Sequence, residues 1–151
     1  MIYIGYQGVG KSSIAGKNNC IDLESGNFWV DNVRQDNWYV IYCNIAKHLS
    51  DQGFNVFLSS HKVLRDELNK RGIPFVCIYP SIALKDEWIK RLEERYNRTN
   101  LGKDYKALMN AKEQFENNML DLQQEKYGIE IESMDYDLLD VITKSGNIRK
   151  R

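Results

Sequence analysis

The sequence predicts an α/β fold in which a five-stranded parallel sheet is flanked by helices, and three observations carry that expectation. Short apolar runs alternate with longer segments of helical period; most of those runs are rich in β-branched or aromatic residues; and glycines punctuate several junctions. At 151 residues, 42% of them hydrophobic, the chain has the size of one ordinary domain and can bury a substantial core. It is read as a single domain over 1–151.

The strands are expected at Ile2 to Ile4, Cys20 to Leu23, Val56 to Ser59, Phe75 to Tyr79 and Ile129 to Glu132. Between them the helical period places helices from Lys11 to about Gly16, Asn37 to about Gln52, Lys62 to Lys70, Leu84 to about Arg98 and Tyr105 to about Lys126, with a last one near Tyr136 to Ile142. Gly53, Gly72 and Gly128 each follow a proposed helix and suit a left-handed cap before the next strand. Thr99 to Lys103 contains Asn100 and Gly102 and reads as a turn between two long helices. On the second of these, Tyr105, Leu108, Phe115, Met119 and Leu122 are assigned to the core.

The 21 basic and 21 acidic side chains cancel, so no global field draws the chain to nucleic acid or to a membrane, and any anion site must be local. No apolar stretch approaches the ~18 residues of a membrane span and no basic leader precedes the first apolar run, so a soluble, cytoplasmic protein is expected. Cys20, Cys43 and Cys77 are odd in number and widely spaced, each within an apolar stretch; they read as buried thiols rather than as redox or metal ligands. The basic segment from Lys144 to Arg151 reads as a frayed end rather than a nucleic-acid arm.

The sharpest signal is Gly5-Tyr6-Gln7-Gly8-Val9-Gly10-Lys11-Ser12, which fits G-x-x-x-x-G-K-[ST] and directly follows Ile2-Tyr3-Ile4. Glycines let such a loop fold tightly so that successive amide N–H groups face inward, and a helix opening at its end adds positive potential. Gly8, Val9, Gly10, Lys11, Ser12 and Ser13 are therefore the candidate binding residues for ATP, with Lys11 reaching the β- and γ-phosphates and Ser12 ligating Mg²⁺. The alternative is a glycine-rich turn that fits the pattern by chance.

Beyond the loop, the chain resembles the small nucleotide and metabolite kinases: nucleoside monophosphate kinases and their shikimate and gluconate kinase relatives, a P-loop kinase type with a helical lid. Val56-Phe57-Leu58 runs into Ser59-Ser60-His61, so no Walker-B Asp stands at the end of that strand. In the shikimate kinase branch an Asp-x-Asp after the second strand holds Mg²⁺ through water and contacts the acceptor. Asp22-Leu23-Glu24 is similar, with Glu in the second place, and the resemblance implies Asp22 as a metal-positioning residue and Glu24 as an acceptor contact; capping or solvated carboxylates are the alternative. Ser59 to Asp66 resembles the segment in which gluconate-type kinases place an acceptor-binding Arg, which implies that role for Arg65. Pairing with Asp66, Glu67 or Asn69 on the surface is the competing reading, and His61 serves either local backbone or ligand.

The resemblance also implies a lid near 84–104, in which arginines neutralise charge on the transferred group. Arg91, Arg95 and Arg98 fall on one helical stripe beside Trp88, Leu92 and Tyr96, and Arg91 and Arg95 are the catalytic candidates; a solvated face pairing with Glu87, Glu93 and Glu94 is the alternative. The monophosphate-binding arm falls near 25–40, where Phe28, Arg34 and Trp38 can stack a base and grip a phosphate. Trp38 equally suits a core role with Tyr42 and Ile45.

Together these features imply an ATP- and Mg²⁺-dependent kinase of a nucleoside or deoxynucleoside monophosphate. The alternatives are a kinase of a nucleoside or small hydroxyl metabolite, with Asp22 or Glu24 as base, and a non-catalytic nucleotide-binding regulatory module. The expected partner is a nucleotide or small-molecule acceptor, not nucleic acid or a membrane. The oligomeric state is left open, a homodimer included. Short kinases of this kind are found among bacteriophage-encoded proteins, which implies a role in supplying DNA precursors.

Overall fold

A computed structural model of the chain describes residues 1–23, 29–30, 33–34, 36–144 and 149–150, with 29–30, 33–34 and 149–150 as backbone. The strands are β1 (Ile2–Gly5), β2 (Cys20–Asp22), β3 (Trp29–Val30), β4 (Val33–Arg34), β5 (Asn55–Leu58), β6 (Val76–Pro80), β7 (Tyr127–Ile131) and β8 (Arg149–Lys150). The helices are α1 (Lys11–Ile14), α2 (Trp38–Asp51), α3 (Lys62–Lys70), α4 (Lys85–Thr99), α5 (Gly102–Gln123) and α6 (Leu138–Thr143). The main sheet runs β2-β5-β1-β6-β7-β8, and β3 pairs only with β4. The fold is α/β: five parallel strands flanked by helices, at the positions the apolar runs predict, with β8 added antiparallel to β7.

The chain forms two compact units, one of residues 1–5 and 10–77, the other of 6–9 and 78–151. In the first, β5 lies between β1 and β2, with Tyr3 opposite Phe57 and Ile21 opposite Val56. The rings of Tyr3 and Phe57 stack at 5.0 Å. On α2 the buried residues are Trp38, Tyr42, Cys43 and Ala46, an apolar stripe at helical spacing. Fully burying an aromatic or aliphatic side chain of this kind contributes about 1.5–3 kcal/mol. Ile45, which the period grouped with Trp38 and Tyr42, is 37% exposed; it lies three positions from Tyr42, on the solvent side of the stripe.

Helix α1 ends at Ile14, earlier than its expected end near Gly16. Gly16, Asn18 and Asn19 all take positive φ, the left-handed region that only Gly and, less readily, Asn adopt at low cost. A tight turn results, closed by Gly16 N–H to the Cys20 carbonyl and Cys20 N–H to that of Lys17, which feeds β2. Two of the three expected glycine caps hold, at Gly53 (φ 96°) and Gly72 (φ 67°). Gly128 does not: it lies inside β7, where a Cβ would meet the Tyr79 ring at 3.1 Å.

In the second unit, α4 and α5 pack against each other. Asn100 at φ 53° closes α4, and α5 starts at Gly102, so Thr99 to Lys103 is the turn its composition predicts. Buried on α5 are Asp104, Leu108, Ala111, Phe115, Met119 and Leu122, a seam of three- and four-residue steps. Tyr105 is the exception to the core assignment, at 48% exposed: one residue past Asp104, it is rotated about 100° from the seam, where it packs on the Tyr96 ring at 5.3 Å. All three cysteines are buried free thiols, as expected. In the basic tail, Lys150 and Arg149 pair with Tyr127 and Gly128, so these two positions extend the sheet instead of fraying.

Candidate functional site

Strand β1 is buried at all four residues and ends at Gly5. The loop that follows turns through Gly8 at φ 89° and Gly10 at φ 106°, conformations that explain glycine at both positions. The Lys11 ammonium donates to the Gly5 carbonyl at 3.0 Å, folding the lysine back along the loop. The Ser13 N–H and hydroxyl both donate to the Gly10 carbonyl, at 3.1 and 2.7 Å, so this serine closes the turn into α1. Ser12 is exposed, with no hydrogen bond to its hydroxyl among the described residues. Because α1 is only four residues long, the loop's own amides, rather than a helix dipole, supply most of its positive potential.

Residues 6–9 are held by the second unit. Tyr6 is buried edge-on against Phe115, and burial raises its phenol above the ordinary tyrosine range. The Gln7 amide donates to the Ala107 carbonyl at 2.9 Å and to Asn110 Oδ1 at 3.1 Å, fastening the loop to α5. The next three carbonyls each accept a side-chain donor. Trp88 Nε1 reaches that of Gln7 at 2.8 Å, an Arg91 guanidinium N–H reaches that of Gly8 at 3.2 Å, and the Tyr136 hydroxyl reaches that of Val9 at 2.9 Å.

Arg91 also donates to the Tyr136 hydroxyl at 2.8 Å and to the Met134 carbonyl at 3.2 Å, and lies over the Trp88 ring at 4.6 Å. Trp88 and Tyr136 are nearly parallel, 6.2 Å apart. Among the described residues Arg91 has no carboxylate partner, so its charge stands uncompensated by an ion pair beside Gly8. Burial raises the Tyr136 phenol above the ordinary tyrosine range, with the Arg91 charge opposing.

The arginine stripe divides. Arg95 Nε pairs with Asp104 Oδ1 at 2.8 Å; this carboxylate is 2% exposed and also accepts from the Thr99 hydroxyl. Arg98 is exposed, and Glu93 pairs with Lys112 at 3.8 Å; among the described residues no ion pair joins these arginines to Glu87, Glu93 or Glu94.

In the first unit a second cluster gathers where β2 and β5 end. The Tyr42 hydroxyl donates to the Leu23 carbonyl, and Trp38, itself buried, packs edge-on against His61 at 5.2 Å. Arg65 is 2% exposed, with Nε donating to the Ser60 carbonyl at 3.2 Å. It is therefore no surface residue; Asp66 and Glu67 pair instead with Lys62 and Arg71. The Ser59 hydroxyl is buried and has no hydrogen-bond partner among the described residues. Asp22 stands at the end of β2 opposite Phe57, partly exposed. Glu24 and Phe28 lie outside the described residues; Arg34 is in β4, paired antiparallel with Trp29 of β3.

Gln7 within the loop, and Trp88 and Tyr136 beside it, make contacts that the sequence does not mark. Trp88 was assigned only to the apolar stripe, and Tyr136 lies 127 residues beyond Val9 with no motif to mark it. Comparison with known protein families and with curated proteins finds no match for this chain.

Proposed function

We propose that this chain is an ATP-dependent phosphotransferase, a nucleoside or deoxynucleoside monophosphate kinase. The observation that carries the reading is the phosphate-loop motif after a buried strand, with Gly8 and Gly10 at positive φ and the Arg91 guanidinium, which has no carboxylate partner among the described residues, at the Gly8 carbonyl. Loops of this geometry present backbone N–H groups to anions, and a nearby guanidinium strengthens that preference. The amides of Gly8 and Gly10 make no hydrogen bond among the described residues, as donors reserved for a ligand do.

Lys11 serves to neutralise the β- and γ-phosphate oxygens. Arg91 serves to balance charge that builds on the transferred group, a role in which losing a donor costs ~10²-fold or more in rate. Arg95 joins that work only by giving up its ion pair with buried Asp104, so its resting role is to position the α4–α5 turn. The hard oxygens of Ser12 and Asp22 suit Mg²⁺, which takes few protein ligands beside phosphate oxygens and supplies charge neutralisation when bound. On the acceptor side, Arg65 is the phosphate-gripping candidate and Trp38 the stacking one, with Glu24, Phe28 and Arg34 in the adjoining arm. An acceptor phosphate is already ionised and needs positioning more than a general base.

The test is a coupled assay with ATP·Mg²⁺ against a panel of nucleoside and deoxynucleoside monophosphates, nucleosides and small hydroxyl metabolites. Turnover restricted to monophosphates supports the reading. Turnover restricted to hydroxyl acceptors replaces the acceptor class, and slow hydrolysis with no acceptor favours a regulatory nucleotide-binding module.

A further inference from the structure

In a trans peptide the carbonyl of one residue and the N–H of the next point in opposite directions. Fixing a carbonyl therefore fixes where the following N–H aims. The carbonyls of Gln7, Gly8 and Val9 are fixed in succession by Trp88 at 2.8 Å, Arg91 at 3.2 Å and Tyr136 at 2.9 Å. Three consecutive peptide groups thus have their orientation set by side chains from elsewhere in the second unit. The Val9 N–H is spent on a turn bond to Tyr6, while those of Gly8 and Gly10 face away from their pinned carbonyls.

A second observation agrees. Position 8 is one of the unspecified places in the motif, yet a Cβ there would lie 3.0 Å from Trp88 Nε1 and 3.1 Å from Leu92 Cδ2. Glycine at 8 is required by the close approach of Trp88, the donor that holds the neighbouring carbonyl. Arg91 and Tyr136 act as one unit: the guanidinium donates to the phenol oxygen, and the phenol proton goes on to Val9. Such a chain polarises each bond in it.

We infer that Trp88 and Tyr136, linked through Arg91, are positioning residues that clasp the loop carbonyls and so aim the Gly8 and Gly10 amides at a polyphosphate before it binds. This rests on the phosphate-loop reading proposed above. Trp88 and Tyr136 add no contact to the ligand; they remove the cost of turning peptide groups at the moment of binding.

The probes are inorganic pyrophosphate and ATP·Mg²⁺, titrated calorimetrically into wild type, Tyr136→Phe, Trp88→Phe and Gly128→Ala. Each Phe variant keeps an aromatic ring and deletes one donor. Gly128→Ala is the stability control, since the three atoms nearest its methyl all belong to Tyr79, outside the loop. Loss of one neutral hydrogen bond is expected to weaken binding of both probes roughly 5- to 10-fold. The KM for ATP should rise by the same factor while the KM for the acceptor stays put. In ¹⁵N spectra without ligand, the Gly8 and Gly10 amide resonances should move in both Phe variants and stay in place in Gly128→Ala. If Tyr136→Phe binds pyrophosphate as wild type does and leaves those resonances unmoved, the clasp is overturned while the phosphate-loop reading stands, and this variant decides the matter if Trp88→Phe does not fold. If wild type binds neither probe, the phosphate-loop reading fails and the clasp with it.

Discussion

Gly8→Ala separates two costs that a glycine loop usually mixes, because the chain holds a matched comparison at Gly16. Both glycines have left-handed φ, 89° and 83°, but a Cβ at Gly16 meets nothing within 4 Å, whereas one at Gly8 meets Trp88 at 3.0 Å and Leu92 at 3.1 Å. Placing alanine in a left-handed conformation costs about 1–2 kcal/mol, and both variants bear that. At Gly8 the indole must also retreat, and an overpacked contact of this kind costs about 1–3 kcal/mol. Breaking the Trp88–Gln7 bond, worth about 1 kcal/mol, is one route of retreat and is therefore part of that cost, not an addition to it. Gly8→Ala is expected to lose about 2–5 kcal/mol and Gly16→Ala about 1–2. With roughly 2–4 °C of Tm per kcal/mol at this chain length, Gly8→Ala should melt several degrees below Gly16→Ala. Urea unfolding followed by circular dichroism and by tryptophan emission gives both values. Equal stabilities within about 0.5 kcal/mol would mean that Trp88 gives way freely and does not set the loop.

Lys11→Ala should abolish phosphoryl transfer in the coupled assay while the circular dichroism spectrum stays native, and near-normal turnover would remove the loop from the mechanism. Asp104→Asn leaves Arg95 without its anionic partner and should cost about 1–3 kcal/mol in unfolding free energy, since Arg95 is 33% exposed and water can take up its charge; a change under about 0.5 kcal/mol would make the pair incidental. Burial pushes the Cys43 thiol from 9.0 up to about 11, so between those pH values the folded chain keeps a proton that the unfolded chain has released, and stability falls as pH rises. The loss attributable to this thiol is about 2–3 kcal/mol by pH 11; unfolding curves at pH 8, 9, 10 and 11 for wild type and Cys43→Ala should converge as the wild type loses that increment, and parallel pH profiles would rule the thiol out. Glu24→Gln should cost little with a monophosphate acceptor, whereas a ~10²- to 10⁴-fold fall in kcat with loss of the acidic limb would identify Glu24 as the base for a hydroxyl acceptor.

The strands were legible because buried parallel strands are continuous apolar runs, and Ile2-Tyr3-Ile4, Val56-Phe57-Leu58 and Val76 to Tyr79 read so without ambiguity. Helix ends were less so. Left-handed Asn18 and Asn19 cut α1 short through backbone preferences that polar residues express only in context. Asp104 lies in register with Leu108 and Ala111, so a polar residue in an apolar seam was the available sign of its ion pair with Arg95. The carbonyl contacts could not have been found this way at all. A side-chain donor that seeks a backbone oxygen leaves no mark at the accepting position, since every residue carries one. Motif matching thus located the loop but not what holds it, and the helical period that put Trp88 on the inner face was silent about where its N–H goes.

The proposed clasp would also set an order of events as the chain is made. Tyr3 and Ile4 pair with Phe57 and Leu58, partners some fifty residues downstream, and the Tyr136 hydroxyl that holds Val9 comes 127 residues later. A growing chain can therefore seat its first strand long before the loop beside it has a fixed shape, because contacts so distant in sequence are the slow ones to close. Nascent or C-terminally clipped chains that stop short of Tyr136 should bury β1 yet meet nucleotide with a loop whose peptide groups still turn. On the proposed reading, competence for anions would then wait for Tyr136, 127 residues after the Val9 carbonyl that it holds.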